Sequence, residues 1–484
     1  MSSNQNSNKL QNSTSNSNNE TINNAVLVGI QLPSISSSDL ESSLQELTRL
    51  VTTLGYRVVG QVTQKRNSDR AALILGAGKL KELALWTGGT GEVSSMVEHK
   101  LSKAAQKWKN ELTKKEDDED DEEIESVSEN EVEPVLSKEK IGSAQIVIVD
   151  TDLSPSQIRN LESATGVTVL DRTGVIIEIF SRHARTRAAR LQVEIARLTY
   201  VAPRLRETGG SEDRQGGGVG GKGAGESSLE LDKRKIRDRI KELKMELASI
   251  GNEHEVRRAR RQQELCVALV GYTNAGKSSL MRAMTGSEVL VADKLFATLD
   301  TTIRPIYPET RPKVLLSDTV GFIKKLPHDL VASFKSTLDE ALNASLLLFV
   351  VDASDSSFRS QLKVTQDVLT EVGANEVPQL LILNKKDKLS EEEKSLLQVE
   401  FPEAILISTR EKEDLLFLRN KIMSYFESDM IDEDLKIPYH VQGAIGEIRL
   451  KMRVLQESYD EKGVTLKVRS TPELISQIKK RFLS

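Results

Sequence analysis

The sequence predicts an α/β protein of several domains: an N-terminal α/β domain with a parallel sheet, a helical hairpin linker, a second α/β domain with a mixed sheet and helices on both faces, and a small C-terminal α/β module. Three observations predict it. Strand-length apolar runs alternate with helical stretches through the first two hundred residues. A glycine loop joins an apolar run to a helix near the middle of the chain. At 484 residues and 38% hydrophobic content, the chain has material for two to four cores.

Residues 2–24 are an Asn- and Ser-rich tract that cannot bury enough apolar surface to order itself. From residue 25 the texture changes. Strands at 25–30 and 56–62 flank a helical stretch at 39–54, and a second set follows with a strand at 145–150, a helix at 154–164 and a strand at 167–170. A helix between successive strands makes a βαβ unit, and hence a parallel sheet. The pattern is interrupted at about 87–140, where residues 116–133 hold twelve acidic and no basic side chains. Such a block repels itself and reads as a solvated insertion.

A helix is expected over 172–200, carrying Arg182, His183, Arg185, Arg187 and Arg190. A glycine loop at 215–226 closes the N-terminal domain, taken as 25–226. The linker, 227–263, has leucine and isoleucine spacing over 229–261 that is interrupted at Ser249-Ile250-Gly251-Asn252, which suits two antiparallel helices or one long broken helix. The second α/β domain spans 264–428. Residues 429–484 add a strand at 464–469 and a helix at 472–482, a module that packs on its neighbour or meets a partner.

Gly271-Tyr272-Thr273-Asn274-Ala275-Gly276-Lys277-Ser278 fits G-x-x-x-x-G-K-[ST] and directly follows the apolar run 265–270. A buried strand delivering a tight glycine turn points successive backbone N–H groups at phosphates, and the next helix presents its positive end. Lys277 would bridge β- and γ-phosphate oxygens, and the Ser278 hydroxyl would take one position on Mg²⁺. The chain binds a nucleoside triphosphate, on a Ras-like P-loop domain.

Asp318-Thr319-Val320-Gly321 ends a strand at 313–316, where a carboxylate can hold the metal through water and the Gly321 N–H can meet a γ-phosphate. Asn384-Lys385-Lys386-Asp387 ends the strand 379–383. A carboxylate at Asp387 would accept the ring N–H and exocyclic amine of guanine; adenine would leave it unsatisfied, at about 1–3 kcal/mol or more. Ser408-Thr409 closes the strand 404–407 as a second base contact.

Switch I lies between the first helix of this domain and the strand before Asp318, in Phe296-Ala297-Thr298-Leu299-Asp300-Thr301-Thr302. Thr298 is favoured as the second Mg²⁺ ligand, and spacing alone leaves Thr301 and Thr302 open. Phe322 stands where many signalling GTPases carry a glutamine that orients the attacking water, so slow intrinsic hydrolysis is expected, accelerated when a partner completes the site. Asn274 either tolerates a strained turn or coordinates a monovalent cation.

Cys266 is the sole cysteine, which excludes an intrachain disulfide and a cysteine-rich zinc site. The N-terminal tract lacks a secretory pattern, and the longest apolar runs, such as 346–351, are too short to span a bilayer. A cytoplasmic, monomeric protein is expected. The net charge of −5 conceals an asymmetry: residues 182–261 hold 20 Lys plus Arg against 12 Asp plus Glu, a net of +8. That basic middle suits the phosphate backbone of structured RNA, or else a hairpin whose charges pair at i, i+4.

From residue 25 onward the chain resembles the HflX family of translational GTPases. The resemblance rests on Leu75-Gly76-Ala77-Gly78-Lys79, on Leu153-Ser154-Pro155-Ser156-Gln157-Ile158-Arg159-Asn160-Leu161-Glu162 and on Asp171-Arg172-Thr173. It continues through Ile179-Phe180-Ser181-Arg182-His183-Ala184-Arg185-Thr186, Tyr200-Val201-Ala202-Pro203-Arg204-Leu205, the glycine loop ending Gly225-Glu226, and the nucleotide motifs with Leu295 to Asp300 and Phe322. It implies a GTPase that binds the 50S subunit and the 70S ribosome and splits stalled or idle ribosomes under stress. By the same resemblance the glycine loop reaches towards the peptidyl-transferase region, Thr298 is the Mg²⁺ ligand, and Ser408, Thr409 and Arg410 form the guanine-side loop. Ala224 departs from the family's usual proline, and the acidic insertion is outside the common pattern.

Overall fold

A computed structural model describes residues 23–93, 142–205, 228–261, 265–286, 295–296, 301–325, 341–441 and 443–482. The Asn/Ser-rich tract, the acidic run 116–133, the glycine loop 215–226 and switch residues 297–300 lie outside the described residues. The chain forms two compact units, Met1–Arg172 and Thr173–Ser484.

In the first unit, strands β1 (Asn24–Gln31), β2 (Arg57–Lys65), β3 (Ile146–Val149) and β4 (Thr168–Asp171) form one sheet in the order β2-β1-β3-β4. Every pairing is parallel, as the βαβ reading expects. Helices α1 (Ser37–Thr53), α2 (Ala77–Thr87) and α3 (Pro155–Thr165) supply the crossover layers. Helix α3 begins with a capping box: the Ser154 hydroxyl accepts from the Gln157 N–H, and the Gln157 side chain accepts from the Ser154 N–H. Two residues that carried the family resemblance have architectural work here. Asp171, fully buried, accepts the Leu153 N–H at 3.2 Å. Arg172, 1% exposed, donates to Asp150 at 2.7 Å and pairs with Glu46, while Ser43 also donates to Asp150.

The stretch expected as one helix over 172–200 is two: α4 (Arg172–His183) and α5 (Arg187–Val201). Ala184 closes the first turn-end by donating to the Phe180 carbonyl, and Thr186 caps the second helix by accepting from the Ala189 N–H. Helix α6 (Ser228–Arg261) runs unbroken for 34 residues, correcting the expected interruption at Gly251. Its antiparallel partner is α5: Arg187 pairs with Glu246 and Glu194 with Arg239, and Leu191, Ile195 and Leu243 are buried between them.

The nucleotide domain is a six-stranded mixed sheet in the order β10-β9-β8-β5-β7-β6, comprising β5 (Leu265–Val270), β6 (Thr302–Pro305), β7 (Val314–Asp318), β8 (Leu346–Asp352), β9 (Gln379–Asn384) and β10 (Ile405–Leu406). Only the β6–β7 pairing is antiparallel. Helices α7 (Lys277–Thr285) and α10 (Lys412–Glu427) pack into one core with Val267, Leu269, Leu316 and Leu348, and α8 (Phe358–Glu371) and α9 (Glu391–Glu400) into another with Val351 and Leu383. The C-terminal module is an antiparallel sheet, β11 (Ile431–Pro438), β13 (Gly463–Ser470) and β12 (Arg453–Tyr459), with α11 (Ala444–Lys451) and α12 (Pro472–Phe482) on its apolar face. Among the described residues no helix is long and apolar enough to cross a membrane.

Candidate functional site

The ends of β5, β7, β8 and β9 gather the site, because a parallel sheet aligns the carboxyl ends of its strands. Two glycines make the loop after β5 possible. Gly271 has φ +149°, and a Cβ there would lie 2.1 Å from the Val350 carbonyl oxygen; Gly276 has φ +96°, and a Cβ there would lie 2.2 Å from Asn384 Nδ2. Asn274 also adopts positive φ, +61°, which fits the strained-turn reading of that residue.

Lys277 begins α7 and is 6% exposed. Its ammonium donates to the carbonyls of Gly271 at 2.9 Å and Tyr272 at 2.8 Å, folding the side chain back along the loop. Burial lowers its pKa to about 8, against the opposing pull of Asp318. Phosphate oxygens would restore the charge. Ser278 Oγ donates to Asp318 Oδ2 at 2.7 Å, so a hydroxyl and a fully buried carboxylate share one point at the loop's edge. These hard oxygen donors suit Mg²⁺, which takes few protein ligands and completes its shell with phosphate oxygens and water.

Beyond Asp318, the three following residues do different things. Thr319 turns inward and its hydroxyl donates to the Leu269 carbonyl at 2.7 Å, which ties β7 to β5. Val320 is buried. Gly321 lies against the loop: a Cβ on it would meet Thr273 Cγ2 at 2.8 Å and Lys277 Nζ at 3.0 Å. Phe322 is 3% exposed and pairs its backbone with Tyr272 in a parallel bridge.

On the opposite side, Asn384 Nδ2 donates to the Ala275 carbonyl at 2.9 Å. Lys385, at φ +65°, donates to the Asn274 carbonyl at 2.9 Å and to Asp352 at 2.6 Å. Both residues therefore brace the phosphate loop from β9. Lys386 points away, into Asp414 and Glu411 of the region around α10. Asp387 receives the Ser408 hydroxyl at 2.8 Å, and this bond, with the nearby backbone amide and Arg410, holds its carboxyl below the usual range. Arg410 Nη1 lies 3.4 Å from Asp387 and its own N–H donates to Ser408 Oγ. Thr409 is half-buried between them. The result is an ionised carboxylate framed by a hydroxyl and an exposed guanidinium, an acceptor matched to the paired donors of guanine.

Phe296 is the described member of the expected switch I segment together with Thr301 and Thr302. It is 3% exposed at φ +58°, and its ring meets Phe180 edge-on at 4.6 Å. Thr302 begins β6 opposite Asp318, and Thr301 precedes it half-buried. Ala297, Thr298, Leu299 and Asp300 lie outside the described residues. Sequence reasoning missed Asp352 and Asp414. Asp352 had a signal, being the first polar residue after the apolar run of β8; Asp414 had none, since its role, accepting the Ser408 N–H at 2.7 Å, depends on how α10 packs.

Three family models cover most of the chain. Residues 41–116 and 122–181 match the model described as GTP-binding GTPase N-terminal, 183–261 the GTP-binding GTPase Middle Region, and 266–385 the 50S ribosome-binding GTPase. A GTPase HflX from Gluconacetobacter diazotrophicus is 56% identical over 456 residues, covering 94% of this chain and 97% of its own. The GTPase HflX of Caldanaerobacter subterraneus subsp. tengcongensis is 36% identical, with 95% and 94% covered, and that of Alkalihalophilus pseudofirmus 34% identical, with 96% and 97% covered.

Proposed function

The chain belongs to the HflX family of GTPases, and we propose that this GTP-hydrolysing protein acts on the ribosome, binding the 50S subunit and the 70S particle and dissociating stalled or idle ribosomes under stress. One combination carries the reading: a guanine-nucleotide site follows directly on residues 182–261, whose net charge is +8, in a chain whose nucleotide domain matches a model described as a 50S ribosome-binding GTPase. A basic segment gains affinity for an RNA backbone by releasing its counterions.

In this reading Ser278 and Thr298 would hold Mg²⁺, and Asp318 would act through water. Held there, Mg²⁺ would supply neutralisation of phosphate charge. Lys277 swings from the Gly271 and Tyr272 carbonyls to the phosphates, Gly321 donates its N–H to the γ-phosphate, and Asp387 with Ser408, Thr409 and Arg410 reads the base. Ordering of the Thr298 and Gly321 loops by GTP favours the ribosome-bound conformation, and hydrolysis releases it. Because Phe322 cannot orient water, turnover is slow alone and stimulated by the ribosome. The protein acts in the cytoplasm as a monomer.

Sedimentation of 70S ribosomes with the protein and GTP tests the proposal. Conversion to 30S and 50S particles, weakening steeply with salt, is the expected result. Intact 70S peaks and no co-sedimentation at any ionic strength would refute it and favour a switch acting on a protein partner.

A further inference from the structure

The phosphate loop and the segment after β7 are joined by three hydrogen bonds among five residues. Phe322 N donates to the Gly271 carbonyl at 3.1 Å, Thr273 N donates to the Phe322 carbonyl at 2.8 Å, and Lys324 N donates to the Tyr272 hydroxyl at 2.6 Å. The first two are backbone bonds that any residue at 272 would allow. The third depends on the side chain at 272, because it needs a terminal acceptor that reaches from the loop to a backbone amide three residues beyond Gly321. Tyr272 is 5% exposed, so its ring is fixed by packing and its oxygen is not free to wander.

The location gives this bond its meaning. Gly321 sits beside Lys277 Nζ and Thr273, where the function proposed above, on which this inference rests, puts the γ-phosphate. GDP offers nothing there. Whatever fixes residues 322–324 therefore fixes the amide of Gly321 for GTP and is indifferent to GDP. We infer that Tyr272 is a positioning residue of the nucleotide switch, whose hydroxyl pins the Lys324 amide and so holds Gly321 at the γ-phosphate position. This matters more here than in a GTPase with a glutamine after the glycine, since Phe322 leaves the backbone of this segment as the local source of order around the attacked phosphorus.

The test is Tyr272→Phe in the full chain, which keeps the ring and removes the acceptor. Affinities for GDP and for a non-hydrolysable GTP analogue, steady-state GTP turnover, and amide hydrogen exchange over residues 322–324 are read on the same preparation. Analogue affinity or kcat should fall by about five- to tenfold, the size expected when a half-buried amide loses its partner, and GDP affinity should fall by clearly less. Exchange over 322–324 should speed up. Equal losses for GDP and the analogue would overturn the inference, because they would show that Tyr272 merely shapes the loop. Unchanged turnover, analogue affinity and exchange would overturn it too. Should Tyr272→Phe fold poorly, the wild-type amide decides: no protection of Lys324 in the nucleotide-free protein contradicts the bond.

Discussion

Ser278 and Asp318 meet hydroxyl to carboxylate across 2.7 Å, although forty residues separate them and they sit on different elements. The contact brings the start of α7 and the end of β7 to one metal-sized point. Ser278→Ala removes one oxygen donor and leaves the buried Asp318 carboxylate without that hydroxyl. GTP turnover should fall at least about tenfold, and the Mg²⁺ concentration for half-maximal rate should rise; a magnesium titration of turnover checks it.

Lys277 sets a pH dependence with a definite sign. Burial holds its folded pKa at about 8, below the ordinary 10.5. Between these values the unfolded chain binds more protons than the folded one, so this group makes the empty protein more stable as pH rises through the window. Nucleotide binding has the opposite sign, because phosphates require the ammonium. Affinity for GDP should fall as pH climbs above 8, by up to about tenfold per unit, and calorimetry in buffers of different ionisation enthalpy should show proton uptake.

Asp387 should confer base choice through its two acceptors. Its carboxyl is held low chiefly by the Ser408 hydroxyl, so it stays ionised at neutral pH; its contribution to stability is present above the ordinary carboxylate range and is lost as pH falls through the folded value. Asp387→Asn replaces one acceptor with a donor. Guanine then meets a donor with its own N–H groups, while xanthine presents a carbonyl there. GTP affinity should drop by about tenfold or more and preference should move to xanthosine triphosphate, as competition with labelled GDP would reveal.

Arg172 is buried and pairs with the buried Asp150 and the partly buried Glu46. Arg172→Ala removes the cation and leaves the buried Asp150 carboxylate with the Ser43 hydroxyl but without the guanidinium charge, which should cost about 3–5 kcal/mol and show as a lower chemical-denaturation midpoint of the N-terminal unit. An isolated nucleotide-binding measurement should change little if the damage is confined to that unit.

How legible this was depended on whether a feature was local. The phosphate loop, Asp318 and Asn384 each stand at the end of an apolar strand, so periodicity located them and glycine stereochemistry explained Gly271 and Gly276. The break between α4 and α5 was legible in principle, since Thr186 is a good cap, but the surrounding arginines and alanines favour helix on both sides and mask it. The continuity of α6 through Gly251 was not, because a mid-helix glycine costs only about 1 kcal/mol and packing against α5 outweighs it. Contacts such as Lys385 with Asp352, or Tyr272 with Lys324, join separate elements, and no one-dimensional pattern encodes them. The motif Asp171-Arg172 illustrates the converse: its family signature was visible, yet its role as a buried brace needed the fold.

Switching of this GTPase by the ribosome should show in GTP turnover by the purified chain with and without 50S subunits and 70S ribosomes, measured beside a variant lacking residues 216–225. Strong stimulation that falls when the glycine loop is removed is the predicted result. Turnover indifferent to ribosomes at every salt concentration would contradict it.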